Sequence, residues 1–483
     1  MDRVSEWLIA KLDERQPYGT QVQLGMATEL AAMIEKIATG SGMVDGMSLG
    51  AKFDRAAVLA RGTEIMTAWL PHLTAPMLKS YAAIATAYSL PIDITPYLAD
   101  AEKRDVEQAK ARVAAELEQA RVFREARLAA IAKEHNPALE AALGDDPEPY
   151  SVYADWLEAQ GSPRGELIHL MLFAERERTR VAQDAVDACL DEHRAALIGE
   201  LPDQDDGATD LTWRRGFIDE LSLDDYNGIE DTLELVLAHP SARRLRSLVI
   251  GLNGEPTFDS EHGTFLPALV RAGPAYLERL HIGAIDSERC EISWYNAGDL
   301  SLAWKLPALR TLILRAGAFS LGEIDAPKLE HLELVTGGMT SANIDAIAEA
   351  EWPALARLDV YFGGDSYGGD TTIEDVHRLL AGDYPALRHL GLMNCPFADE
   401  AVEALVGSKL AAQLEVVDLS LGCLGPHGVD VLMDHRKRFR ALKKLIVSRS
   451  YLDTAPVLAG VEVVADRLQG AAALDDRYVS ISE

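Results

Sequence analysis

The sequence predicts an α/β chain: a solenoid of parallel strands with mostly helical returns, preceded by an all-α N-terminal region. Three observations carry this expectation. First, over residues 245–447 one phrase occurs eight times: an apolar residue, two others, an apolar residue, one other, and a third apolar residue. The copies start at Leu245, Leu277, Leu309, Leu329, Leu355, Leu387, Leu414 and Leu442, at steps of 20 to 32 residues. Alternating apolar positions mark a half-buried strand, and a recurring step marks one unit stacked on the next. Second, NIDAIAEA, IEDVHRLL, DEAVEALV and GVDVLMDH, which lie between the later copies, have helical composition. Third, the chain before the repeats has helical spacing of its apolar residues.

Residues 1–125 read as a helical N-terminal region. Trp7, Leu8 and Leu12, and later Met66, Trp69, Leu70 and Leu73, fall on single helical faces. Residues 40–50 (GSGMVDGMSLG) read as a loop, and Pro91 and Pro96 interrupt the pattern again. Residues 101–135 contain no Pro or Gly and mix Glu, Lys, Arg and Ala, which predicts one long, solvated helix.

Residues 126–200 form the next module, around the string YADWLEAQGSPRGE. Tyr153, Trp156 and Leu157 share a helical face, Gly161 suits a helix C-terminus, and Pro163 stops propagation. Leu167, Leu170 and Met171 begin a second apolar face, and Asp155, Arg164 and Glu166 are expected to clamp the two helices by ion pairs. Through Tyr153, Ala154, Asp155, Trp156, Leu157, Gly161, Pro163, Arg164, Gly165 and Glu166 the segment resembles the bacterial repeat-companion domain. That family is a short helical module that commonly sits beside repeats, so the resemblance implies architecture rather than an activity.

The solenoid is assigned to residues 211–470 and a C-terminal cap to residues 471–483. Ile218, Leu221 and Leu223 fit a degenerate first repeat, with Trp213 and Phe217 as its lid. VEVVADRL and RYVSISE read as short closing strands at the other end. The LxxLxL phrase resembles the leucine-rich repeat proteins, especially the ribonuclease-inhibitor type. Cys395 and Asn253 stand at the Asn/Cys position that follows the phrase, and Cys395 is expected to be a buried structural thiol. The resemblance implies a concave wall of parallel strands that binds partners. Alternation then places Arg279, His281, Thr311, Ile313, Arg315, His331, Glu333, Arg357, Asp359, Tyr361, His389 and Met393 on that wall. Arg, Tyr and Met among mixed charges are residue types enriched at protein interfaces.

Net charge is −31, which disfavours nucleic acid and anionic membrane surfaces. It suits a basic protein partner, although solubility alone accounts for it. No apolar run has the length of a membrane span, the N-terminus lacks a signal-peptide pattern, and four dispersed cysteines suit a reduced cytoplasm. The 33 arginines against 13 lysines, with abundant alanine, suggest a bacterial source. No nucleotide loop, nucleophile elbow, zinc-protease or kinase motif occurs, so no catalysis and no cofactor are expected. His281, His331 and His389 fall on alternate repeats, about 10 Å apart by strand spacing, which argues against a metal site. Residues 361–375 read as a loop with Thr371 and Glu374 as a capping box, and the basic run 435–440 as a helix C-terminus. The expected function is a scaffold or adaptor that binds a protein on the concave face. The alternatives are an inhibitor or immunity-like protein sequestering a basic target, and an enzyme with an unrecognised site in the N-terminal helices.

Overall fold

Each copy of the phrase becomes a strand that begins two residues after its first leucine. In the computed structural model these strands form an 11-stranded sheet. It comprises β1 (Thr209–Arg214), β2 (Phe217–Asp225), β3 (Ser247–Asn253), β4 (Arg279–Ile282), β5 (Thr311–Arg315) and β6 (His331–Val335). It continues with β7 (Arg357–Tyr361), β8 (His389–Met393), β9 (Val416–Asp418), β10 (Lys444–Ile446) and β11 (Glu462–Val464). The order across the sheet is the order in the chain. β2 to β11 run parallel, and only β1 pairs antiparallel, as a hairpin with β2.

The structure describes residues 3–17, 24–40, 43–44, 47–48, 53–130, 134–198, 207–257 and 260–481. The chain divides into two compact units, Met1–Ala115 and Glu116–Glu483. The fold is mixed α/β, with a mostly parallel sheet and helices.

The sheet is positioned by its leucines. The second and third apolar residues of each phrase, from Leu248 and Ile250 to Leu445 and Val447, are all buried, as are the eight leading leucines. Each such side chain contributes on the order of 1.5–3 kcal/mol by leaving water. Helices Glu230–Ala238, Leu266–Ala272, Ser341–Glu349, Ile373–Ala381, Ala398–Gly407 and Pro426–Asp434 form six of the returns. The returns on either side of β5 instead hold a small parallel ladder, Asn296–Asp299 with Ala318–Ser320. Cys395 is fully buried, and Asn253 is buried with its amide donating to Glu230, Thr264 and the carbonyl of His262. The capping box before Ile373 is formed by Thr372 and Asp375, one residue later than the sequence suggested. The degenerate first repeat is real strand, since Leu221 and Leu223 pair with Leu248 and Ile250. At the other end VEVVADRL supplies β11, whereas residues 477–481, the described part of RYVSISE, form no strand. That tail bonds across to Asn394 through the backbone of Ile481 and to the carbonyl of Leu421 through Ser480.

The helical module that precedes the sheet uses its signature differently from expectation. Asp155 and Glu166 do not bind Arg164. Asp155 lies 3.1 Å from His169 and Glu166 3.6 Å from His193, and both carboxylates are largely exposed. Arg164 is instead fully buried at the start of helix Arg164–Glu177. Its Nη1 donates to the carbonyl of Gly216 (2.6 Å) and to Ser241 Oγ (3.0 Å), and its Nε to Glu134 (3.2 Å). The guanidinium also lies over the Phe217 ring. The expected lid residue Phe217 is thus buried against Tyr153 of the module. Arg215 grips Glu175, and Arg244 donates to the carbonyls of Glu140 and Leu143. Module and sheet are joined through arginines. Gly165 is required because a Cβ there meets the Ala154 carbonyl oxygen at 2.6 Å, so helices Glu148–Ala159 and Arg164–Glu177 cross in close contact. The first helix ends at Ala159, before Gly161 with its positive φ, and Pro163 occupies the N-cap position of the second.

In the N-terminal unit, helices Arg3–Asp13, Leu24–Thr39, Arg55–Trp69 and Ala75–Tyr88 bury Leu8, Leu12, Ile34, Met66, Trp69 and Tyr81. Within the expected loop 40–50, Met43–Val44 pairs antiparallel with Met47–Ser48, and the other residues of 41–50 lie outside the described ones. The long helix spans Thr95–Ala130. Pro96 falls in its first turn rather than before a break, because an amide there has no helical partner to lose.

Candidate functional site

Parallel register aligns the outward residues of successive strands into rows across the sheet. One row runs Ser247, Arg279, Thr311, His331, Arg357, His389, Val416 and Lys444. The next runs Val249, His281, Ile313, Glu333, Asp359, Gly391, Asp418 and Ile446. Beyond it Arg315 pairs with Val335, and Tyr361 with Met393. All the outward residues expected from alternation therefore share one face. Most are partly exposed, but Asp359 and Met393 are buried and do not project as surface.

The centre of the face is built around Asp359, whose side chain is 1% exposed. Arg357 Nε donates to its Oδ2 at 2.5 Å, and His331 Nε2 lies 3.7 Å from the same oxygen. His389 Nε2, from the next strand, lies 3.1 Å from Oδ1. Glu333 completes the group, 3.5 Å from His331 Nε2. Gly391 is the reason Asp359 fits there: it sits opposite on β8, where a Cβ would fall 2.4 Å from Oδ1. Burial opposes the charge on Asp359, but His331, His389 and Arg357 outweigh it and hold the carboxyl well below its ordinary range. For His331 burial also opposes protonation, and Asp359 and Glu333 outweigh it, so that its pKa lies above the usual value.

Despite the cluster's density, three of its atoms lack a hydrogen-bond partner: Asp359 Oδ1, His331 Nε2 and His389 Nε2 are all buried. The histidines approach the carboxylate at ion-pair distance without hydrogen-bond alignment. Cα spacing alone hid this arrangement. His331 and His389 stand two strands apart, but the acid between them lies within reach of both.

Arg279, His281 and Arg315 stand toward β3, on β4 and β5. Arg279 Nη1 is 3.3 Å from Ser247 Oγ and 3.6 Å from Glu220, and Arg315 donates to the carbonyl of Ile285 at 2.8 Å. Burial, with Arg279 beside it, keeps His281 below the ordinary histidine value. Tyr361 is pushed above the usual phenol range, chiefly by burial and then by Glu333 and Asp359. Asp418 was missed from sequence. It continues the Asp359 row, and its carboxyl is raised by burial and by Asp359. The signal was present in LEVVDL, where position 418 follows the same alternation.

No protein-family profile matches the chain, and no curated protein does. The crystal structure of a structural-genomics protein from Bacteroides fragilis is similar, with a TM-score of 0.48 and 22% identity. The match covers 62% of this chain and 86% of that one. No helix among the described residues is long and apolar enough to cross a membrane.

Proposed function

We propose that this chain is a non-catalytic adaptor of the leucine-rich repeat class that binds a protein on the open face of its sheet. In this reading the sheet is the concave wall of a solenoid resembling the ribonuclease-inhibitor type, and the helical module before it is of the repeat-companion kind. The observation that carries the reading is the pair of register rows. They align His281, Glu333 and Arg357, with Tyr361 just beyond them, from three strands on one mixed-charge face. Fixed, half-buried aromatic and arginine side chains lose little entropy on binding and suit a protein contact. The charges on this face alternate: Arg279, Arg357 and Lys444 stand beside Glu220, Glu333 and Glu462. The acid excess of the chain is not gathered there, which favours an adaptor over a trap for a basic target. Four free, buried cysteines support placing the protein in a reduced bacterial cytoplasm.

The test is affinity capture from native lysate with the wild type, an Arg357→Glu/Tyr361→Ala variant, and an Arg436→Glu control on an exposed return. A partner lost with the double variant alone supports the reading. A partner set unchanged in a folded double variant overturns it. If the captured affinity falls steeply with added salt, the inhibitor-like mechanism takes precedence.

A further inference from the structure

His331 Nε2, buried and without a hydrogen-bond partner, faces two carboxylates. His331 Nε2 is 3.5 Å from Glu333 Oε2 and 3.7 Å from Asp359 Oδ2. One ligand atom from each of these three residues lies within 4.8 Å of the others. Ligands held tetrahedrally at about 2.0–2.1 Å from a zinc ion stand about 3.3 Å apart. His331, Glu333 and Asp359 are therefore within small side-chain adjustments of that geometry, while His389 Nε2, 3.1 Å from Asp359 Oδ1, stands outside that group of three and would turn toward it to serve as a fourth donor. A second observation points the same way. Asp359 is 1% exposed, and its Oδ1 has no hydrogen-bond partner, as is true of Nε2 on both histidines. Buried donors and acceptors left unmade are costly, and an ion among them would satisfy all three.

We propose that His331, Glu333, Asp359 and His389 form a site for one divalent transition-metal ion of the zinc class. Two imidazoles and two carboxylates suit zinc, cobalt, nickel or manganese rather than copper(I), which prefers sulfur, or calcium, which prefers oxygen alone. Arg357 is the competitor. Its guanidinium holds Asp359 Oδ2, and with 45% of its side chain exposed it can swing into solvent when an ion arrives. The site does not depend on the adaptor reading, and metal uptake is measured with no partner present.

A rival cluster, Glu166, Cys189 and His193, lies in the helical module. Its thiol is pushed by burial up to about 11, so it keeps its proton near neutrality, and Glu166 is 60% exposed. The two clusters have different spectroscopic signatures. A thiolate ligand gives cobalt(II) a near-ultraviolet charge-transfer band, and a nitrogen–oxygen set does not.

The experiment strips the full-length protein with a chelator, removes the chelator, and titrates cobalt(II) by absorbance and zinc by calorimetry. One equivalent of cobalt is expected, with visible ligand-field bands and no thiolate band. His331→Ala and Asp359→Asn should each weaken binding by more than about tenfold. Arg357→Ala should tighten it. His331 is 20% exposed, so its variant stays informative if Asp359→Asn fails to fold. Failure of the wild type to take up either ion overturns the proposal. So does binding that survives both ligand variants and disappears with Cys189→Ala.

Discussion

Gly391 and Asp359 face each other across β7 and β8, and the carboxylate of one fills the space left by the absent side chain of the other. This pairing keeps a charged residue 1% exposed at the middle of an outward-facing row. Of the residues that flank it in the neighbouring row, Arg357 donates to Oδ2, and His389 stands at ion-pair distance from Oδ1 without a hydrogen bond.

Gly391→Ala should therefore displace the carboxylate, because the new Cβ would stand 2.4 Å from Oδ1. Overpacking of this kind costs about 1–3 kcal/mol. The φ of Gly391 is not positive, so the backbone itself tolerates alanine. In an Asp359→Ala background the same substitution should cost less. Urea unfolding of the double-mutant cycle measures the coupling, and strict additivity would show that the two residues do not compete for space.

Arg164→Met should destabilise the larger unit severely. Removing one partner of a buried ion pair costs about 3–5 kcal/mol. Burial lowers the Arg164 guanidinium to about 10, still far above neutrality, so the group enters the core charged. Glu134, Gly216 and Ser241 would lose their donor. Adding Glu134→Gln to the variant should recover part of the loss, because the stranded acid is neutralised. A shift in unfolding midpoint reports both effects.

Glu134 also sets a pH dependence. Burial pushes its carboxyl up, but Arg164, Ser162 and Arg243 outweigh this, and its folded pKa falls below the usual 4.5. The contribution is therefore fully present above about 4.5, where the unfolded chain ionises, and is lost as pH falls through the depressed folded value. Wild-type stability should drop on that acid limb more steeply than that of Glu134→Gln. Equal slopes between pH 5 and 3 would remove Glu134 from the acid response.

The four cysteines should be inert in the native state. Cys189, Cys290, Cys395 and Cys423 are at most 5% exposed, and burial raises each thiol above its ordinary value. A disulfide-exchange reagent at neutral pH should label almost none until denaturant is added, and then all four. Rapid labelling of any one in the native protein would contradict its burial.

The repeat was legible because a period-two apolar pattern states which residues enter the core, and every copy starting from Leu245 to Leu442 did so. The outward face followed from the same alternation. What alternation does not carry is distance between side chains of different strands. His331 and His389 do stand two strands apart, as strand spacing implies, and what spacing does not reveal is the acid on β7 that lies between them. Arg164 was misassigned for a related reason. Its neighbours in sequence, Asp155 and Glu166, are within helical reach, yet its partners come from residues 134, 216 and 241. Long side chains entering a core choose partners by tertiary geometry, which local spacing does not encode.

The order of strands across the sheet follows the order in the chain, so each strand pairs with the strands before and after it in the sheet. Duplicating or deleting one strand with its return would leave the other pairings to re-form in the same order, and an outward face of this kind can change one unit at a time. The Asp359 cluster is the exception. It draws on β6, β7 and β8 together. Any rearrangement that separates those three strands erases it whole, so over evolutionary time this segment must be inherited as a block while its neighbours are free to change in number.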